Sequence, residues 1–205
     1  ASSGSAQRPT YSASLYNGQP GLTFDSSTPN YMGWGSNVIF NTGTAVHVLH
    51  VIKFNGIGSA TYSVLFAGKA QTANYQFVQF FFNNTTPYRP FSFGFTDGGA
   101  TGVMGVTSPS PALTSFRAVT TTYAGSSPSS AGSYTNLIDN TSQTVVAAGT
   151  PWSGAGYINA FGYYTAGSPY AGNFDWCETI VYAPPSGGNQ ASLAAYILNR
   201  YGLTI

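Results

Sequence analysis

The stretch RPFSFGFT, residues 89–96, alternates strictly: Phe91, Phe93 and Phe95 fall on one side of an extended chain, and Ser92, Gly94 and Thr96 on the other. Successive side chains of a strand point to opposite faces, so this is the pattern of a strand with one buried face. Comparable short runs follow one another along the chain: GLTF, AVHVLHVIKF, TYSVLFAG, YQFVQFFFN, TSFRAVTTTY, SQTVVAAG, GYINAFGYY and FDWCETIVY, separated by Gly, Pro, Asn and Ser. In AVHVLHVIKF, Val46, Val48, His50, Ile52 and Phe54 share one side, and His47, Leu49, Val51 and Lys53 the other. Both sides carry apolar residues, which predicts a central strand. Only NQASLAAYILNRYG, residues 189–202, has helical spacing, with Leu193, Tyr196, Ile197 and Arg200 three or four apart. Asn189 or Ser192 suits its N-cap and Gly202 its C′ position. Many strands and one terminal helix predict an all-β, two-sheet antiparallel sandwich with a short C-terminal helix, the Phe91, Phe93 and Phe95 rings lying between the sheets. Residues 1–7, ASSGSAQ, are expected to be a flexible lead-in, and 8–205 a single domain.

Charge decides which partners such a sandwich can hold. Charged residues make up 5% of the chain, against about 25% in ordinary soluble proteins, so Ser, Thr, Asn, Gln, Gly and Tyr must cover the surface. The net charge is +1 with no basic cluster, which leaves nucleic-acid binding without its usual phosphate-neutralising term. Cys177 is the only cysteine, so neither an intrachain disulfide nor a cysteine-based zinc site is expected. No apolar run is long enough to span a membrane, and residues 1–7 do not resemble a signal peptide. A neutral, Tyr-rich surface fits a virion surface or an extracellular setting.

RPTYSASLYNGQPGLTFDSSTPNYM resembles the opening of concanavalin A-like, laminin-G-like jelly-roll domains, with Arg8, Pro9, Tyr11, Asn17, Gly18, Pro20, Leu22, Phe24, Asp25, Tyr31 and Met32 in the motif places. NFDWCETIVYAPPSGGNQASLAAYILNRYGLTI is similar to the closing unit of the same family, through Glu178, Tyr182, Tyr196, Arg200, Tyr201 and Gly202. The chain departs from the family at Asp25-Ser26, where Asp-Gly is usual, and at Ala183-Pro184-Pro185. The resemblance implies a jelly roll of the kind found on phage virions and secreted bacterial proteins, usually as a sugar-binding or adhesion module. The family's extra strand before Arg-Pro has no room here. An uncovered sheet edge, and hence an oligomer or a partner chain, is the expected consequence.

FDWCETIVY holds two of the five acidic residues, Asp175 and Glu178. Some enzymes of this sandwich fold carry Glu-x-Asp-x-x-Glu on one strand. Here Asn173 occupies the first place and cannot act as a nucleophile. In a regular strand an odd spacing sends Asp175 and Glu178 to opposite faces, and only a bulge would unite them. Glu178 then shares a face with Trp176, Ile180 and Tyr182. We expect Glu178 to be a buried clamp, paired with Arg200, Arg8 or a Tyr hydroxyl, whose loss would cost about 3–5 kcal/mol. Asp175 is expected in a loop or turn. The chain is expected not to be an enzyme, and glycosidase activity ranks third among the functional readings.

The remaining signal is aromatic. Sugar rings stack on Trp and Tyr while neutral polar groups fix their hydroxyls. The carbohydrate-binding candidates are Trp152, Tyr163 and Tyr164 first, then Trp34 and Tyr170, with Asp97 and Asn159 as polar contacts. No cofactor is expected. His47 and His50 fall on opposite faces of their strand and cannot share a zinc ion. Calcium, which this sandwich family sometimes holds, would have only the widely spaced Asp25, Asp97, Asp139 and Asp175. The leading expectation is a glycan-binding or adhesion module for cell-surface polysaccharide. The alternative is a structural decoration or assembly protein that packs on other virion proteins.

Overall fold

The structure, a computed structural model, describes residues 8–25, 27, 32–41, 46–56, 62–69, 75–82, 89–96, 101–106, 112–123, 134–148, 155–161, 173–182 and 188–205. In chain order the elements are β1 (Thr10–Tyr16), β2 (Gln19–Phe24), β3 (Met32–Asn41), β4 (Val46–Phe54), β5 (Tyr62–Lys69), β6 (Tyr75–Phe82), β7 (Arg89–Thr96), β8 (Thr101–Val106), β9 (Arg117–Tyr123), β10 (Tyr134–Ile138), β11 (Thr141–Ser142), β12 (Val145–Ala148), β13 (Ala155–Phe161), β14 (Phe174–Tyr182) and α1 (Gly188–Tyr201). They form two seven-stranded antiparallel sheets, ordered β1-β2-β14-β4-β9-β10-β11 and β12-β8-β7-β6-β5-β13-β3. The expected all-β sandwich with one short C-terminal helix is the fold observed. The side chains of the Phe91, Phe93 and Phe95 triplet on β7 lie outside the described residues.

Local chemistry sets the turns. Asn17 and Gly18 have φ of 48° and 75°, and Asp139 and Asn140 have 46° and 64°. Two consecutive positive φ angles define the tight turn whose twist matches antiparallel strands. These pairs therefore join β1 to β2 and β10 to β11. The helix stops at Gly202, φ 70°, whose N–H donates to the Leu198 carbonyl at 2.8 Å. Asn17 Nδ2 donates to the Arg200 carbonyl at 3.2 Å, so the first hairpin satisfies one of the helix's terminal acceptors.

β4 lies in the middle of the first sheet, as its two apolar faces predict. Leu49 and Val51 pack with Phe116, Ala118, Ile197, Tyr201 and Leu203, with Tyr16 stacked on Phe116 at 4.4 Å. This outer face is covered by α1. Val48, Ile52 and Phe54 face the other way and are buried with Val119, Ile138 and the stacked pair Phe24 and Phe174. Since the helix occupies the outer face, the second sheet is the layer that covers this inner one.

β1 supplies an N-terminal edge strand where the sequence patterns indicate only the Arg8–Tyr11 motif. Its ladder with β2 breaks between Ser12 and Tyr16, where the intervening residues face Pro20, which has no N–H to donate.

Candidate ligand-binding site

The strand β14 does not run regularly. Trp176 pairs with Ile52 and Glu178 with Val51, so Cys177 is an extra residue, a β-bulge. Asp175 pairs with Lys53 and Glu178 with Val51, two positions apart on β4, so both carboxylates occupy the outer face. This corrects the expectation that they point apart. It also separates Glu178 from Trp176, which lies on the inner face and donates its indole N–H to Thr179 Oγ1 at 2.8 Å.

Both carboxylates are engaged. Asp175 is a buried strand residue, not a loop residue; it accepts from Thr23 Oγ1 at 2.7 Å and from Lys53 Nζ at 3.0 Å. Glu178 accepts from Tyr196 through both oxygens, at 2.8 and 2.9 Å, and from the Tyr201 hydroxyl at 2.8 Å, with Arg200 Nε 3.7 Å away. Its side chain is 24% exposed, so the link between strand and helix is half-buried, not sealed. Burial, with the carboxylates of Asp175 and Glu178 beside it, pushes the Cys177 thiol up to about 11.

The two histidines, Asp25 and Asp139 are also tied into the fold. His50 is buried on the inner face, its Nδ1 2.7 Å from Thr179 Oγ1. His47 lies on the outer face beside the Tyr182 ring and Thr122, where burial lowers its pKa. Asp139 accepts from Arg117 at 2.8 Å and from the Ala118 N–H at 3.0 Å. Asp25 accepts from the Ser27 N–H at 2.8 Å, which holds its carboxyl below the ordinary value. Among the described residues no three His, Cys, Asp or Glu side chains come together as metal ligands would.

Backbone register brings two of the aromatic-site candidates together. β3 pairs with β13 through Gly33–Ala160 and again through Val38–Ile158. Between those points Trp34, Gly35, Ser36 and Asn37 lie opposite the single residue Asn159. So large a bulge on an edge strand is a place where a sheet re-aims its side chains. Asp97, Trp152, Tyr163, Tyr164 and Tyr170 lie outside the described residues. β13 ends at Phe161, paired with Met32 at the start of β3.

No family model matches the chain, and no curated protein sequence matches it. Among solved structures, the globular domain of T. cruzi calreticulin aligns over 96% of this chain and 85% of its own, at 8% identity and a TM-score of 0.53. That likeness is one of fold alone, an antiparallel β-sandwich. The CBM2 module of the Lactobacillus casei BL23 phage J-1 evolved Dit covers 85% of this chain and 79% of its own, at 12% identity and a TM-score of 0.44. A Trypanosoma rangeli sialidase aligns with 79% of this chain over 25% of its own, at 13% identity and a TM-score of 0.42. Among the described residues no helix is long and apolar enough to cross a membrane.

Proposed function

We propose that this domain binds neutral glycans without catalysis, through the end of the sandwich where β3 and β13 meet. The observation that carries the reading is the bulge that sets Trp34 opposite Asn159 at the edge of the second sheet. An indole and an amide on neighbouring strands are groups that recognise a sugar's apolar face and its hydroxyls. A chain with 5% charged residues has no cluster to hold sulfate or carboxylate. The non-catalytic half of the proposal rests on Asp175 and Glu178, whose oxygens already serve Thr23, Lys53, Tyr196 and Tyr201. Display in many copies, on a virion or a secreted assembly, would supply the avidity that one weak site lacks.

Bead-displayed protein on an array of neutral and anionic glycans tests this. Neutral glycans should be retained, and Trp34→Ala should abolish retention. Retention of anionic glycans alone, or of none, overturns the proposal. An assembly role is the second reading, favoured by Leu198, which stands 51% exposed on α1. It predicts concentration-dependent self-association that Leu198→Glu removes.

A further inference from the structure

The first sheet has an open edge in its middle. β2 pairs with β14 from Phe24–Phe174 to Leu22–Trp176 and no further. Beyond that point the β1–β2 hairpin turns onto the outer face. Tyr16 stacks on Phe116 at 4.4 Å and packs against the cluster under α1, and Asn17 bonds the Arg200 carbonyl. β14 itself runs on from Glu178 to Tyr182, paired with Val51 to His47 of β4. Among the described residues no strand pairs with the other side of this stretch. Exposure agrees. Val181 and Val48 oppose each other on the inner face, yet Val48 is 1% exposed and Val181 37%. Every residue from Glu178 to Tyr182 is half-buried or exposed, whereas Val48 to Ile52 on β4 are all buried.

A strand paired on one side presents alternate N–H and C=O groups on the other, and the occupant that such a row recognises is a second extended backbone. Natural sheets blunt such an edge with charge, proline or a bulge. Thr179, Ile180, Val181 and Tyr182 bring neither charge nor proline, and the bulge at Cys177 precedes the open stretch. The Glu178 carboxylate is held by Tyr196 and Tyr201. β2 closes the stretch at its Trp176 end, so it takes a short segment of chain, about 17 Å long. We infer that the β14 edge from Glu178 to Tyr182 is a strand-acceptor site, completed by an extended, uncharged segment of about five residues from another polypeptide. One face of the added strand would lie beside Thr179 and Val181, which suits β-branched residues at alternate positions. The other would lie beside Ile180 and Tyr182, where Glu178 is already engaged and a charge would find no partner. This site is on the first sheet and stands apart from the glycan reading, which concerns the second.

Amide hydrogen exchange, followed by NMR on the whole domain, tests the inference. In the free protein, those amides of Glu178–Tyr182 that point away from β4 should exchange about tenfold faster, or more, than those bonded to it. The acetylated and amidated peptide SVTVTVS, uncharged and alternating, should slow the same amides. Its counterpart SVTPTVS, whose proline removes a backbone donor, should not. Val181→Lys puts a charge at an exposed position of the edge, and should abolish the protection with the melting temperature unchanged. Slow exchange of every one of these amides in the free protein overturns the inference, because the edge would then be covered already. Equal protection by both peptides, none by SVTVTVS, or full protection of Val181→Lys overturns it too.

Discussion

Glu178→Ala separates the structural account of the FDWCETIVY carboxylates from a catalytic one. The carboxylate accepts the hydroxyl proton of Tyr201, a residue 2% exposed, so its removal strands one buried donor. A stranded buried hydroxyl costs about 1–3 kcal/mol. Tyr196, 40% exposed, is rehydrated at little cost, and Arg200 faces solvent and adds nothing to the sum. The expected loss is therefore about 2 kcal/mol, below the 3–5 kcal/mol typical of a sealed ion pair, because water reaches the carboxylate. For a domain of this size that corresponds to a fall of about 4–8 °C in melting temperature, read by calorimetry or far-ultraviolet dichroism. Glu178→Gln keeps an acceptor for Tyr201 and should lose about half as much. Tyr201→Phe in the Glu178→Ala background removes the stranded donor, so the two substitutions together should cost less than their sum. A Glu178→Ala protein melting within about one degree of the parent would refute the reasoning and return Glu178 to the list of chemically active groups.

Two further outcomes follow from the same strands. A Cβ at Gly21 would stand 2.5 Å from Leu15 Cδ2 and 2.6 Å from the Trp176 carbonyl oxygen, so Gly21→Ala should destabilise by roughly 1–3 kcal/mol in urea titrations. Burial depresses the His47 pKa below its ordinary 6.5, so the unfolded chain binds the proton more readily. The stability this group contributes is present above that value and lost as pH falls through the lower folded one. The urea midpoint should thus drop as pH falls through and below about 6.5, less steeply in His47→Gln.

Much of the fold was legible because hydrophobic period and turn chemistry are local. Alternation at Val46–Phe54 marked a strand buried on both faces, and Gly202 marked the helix stop to within a residue of where it falls. The partners of Glu178 were legible in kind, since a carboxylate on a half-apolar strand needs donors and the helix brings Arg200 and two tyrosines. Register was not legible. Nothing in FDWCETIVY announces that Cys177 is an extra residue, because a bulge is a property of two paired strands and not of one. Likewise GYINAF and MGWGSN carry no mark of their pairing, so the pairing of Trp34's strand against Asn159 could not be read in advance.

Gly21 explains how the bulge is tolerated. The β2–β14 ladder runs from Phe24–Phe174 to Leu22–Trp176 and stops there, one residue before Gly21 would face Cys177. At that point the Trp176 carbonyl and Cys177 Sγ occupy the space that a side chain at residue 21 would need. The extra residue of β14 therefore leans into β2, and it can do so only where β2 has no Cβ. Without the bulge the alternation of β14 would continue unbroken, and Glu178 would turn with Trp176 onto the inner face. A carboxylate there would meet the layer that buries Ile52 and His50, and Tyr196 and Tyr201 would lose their acceptor across the sheet. One missing methyl group on β2 is in this way a condition for the docking of α1 on the far side of β14. Gly21→Ala and Glu178→Ala, which touch different atoms, act on the same device, and their costs should fall short of adding.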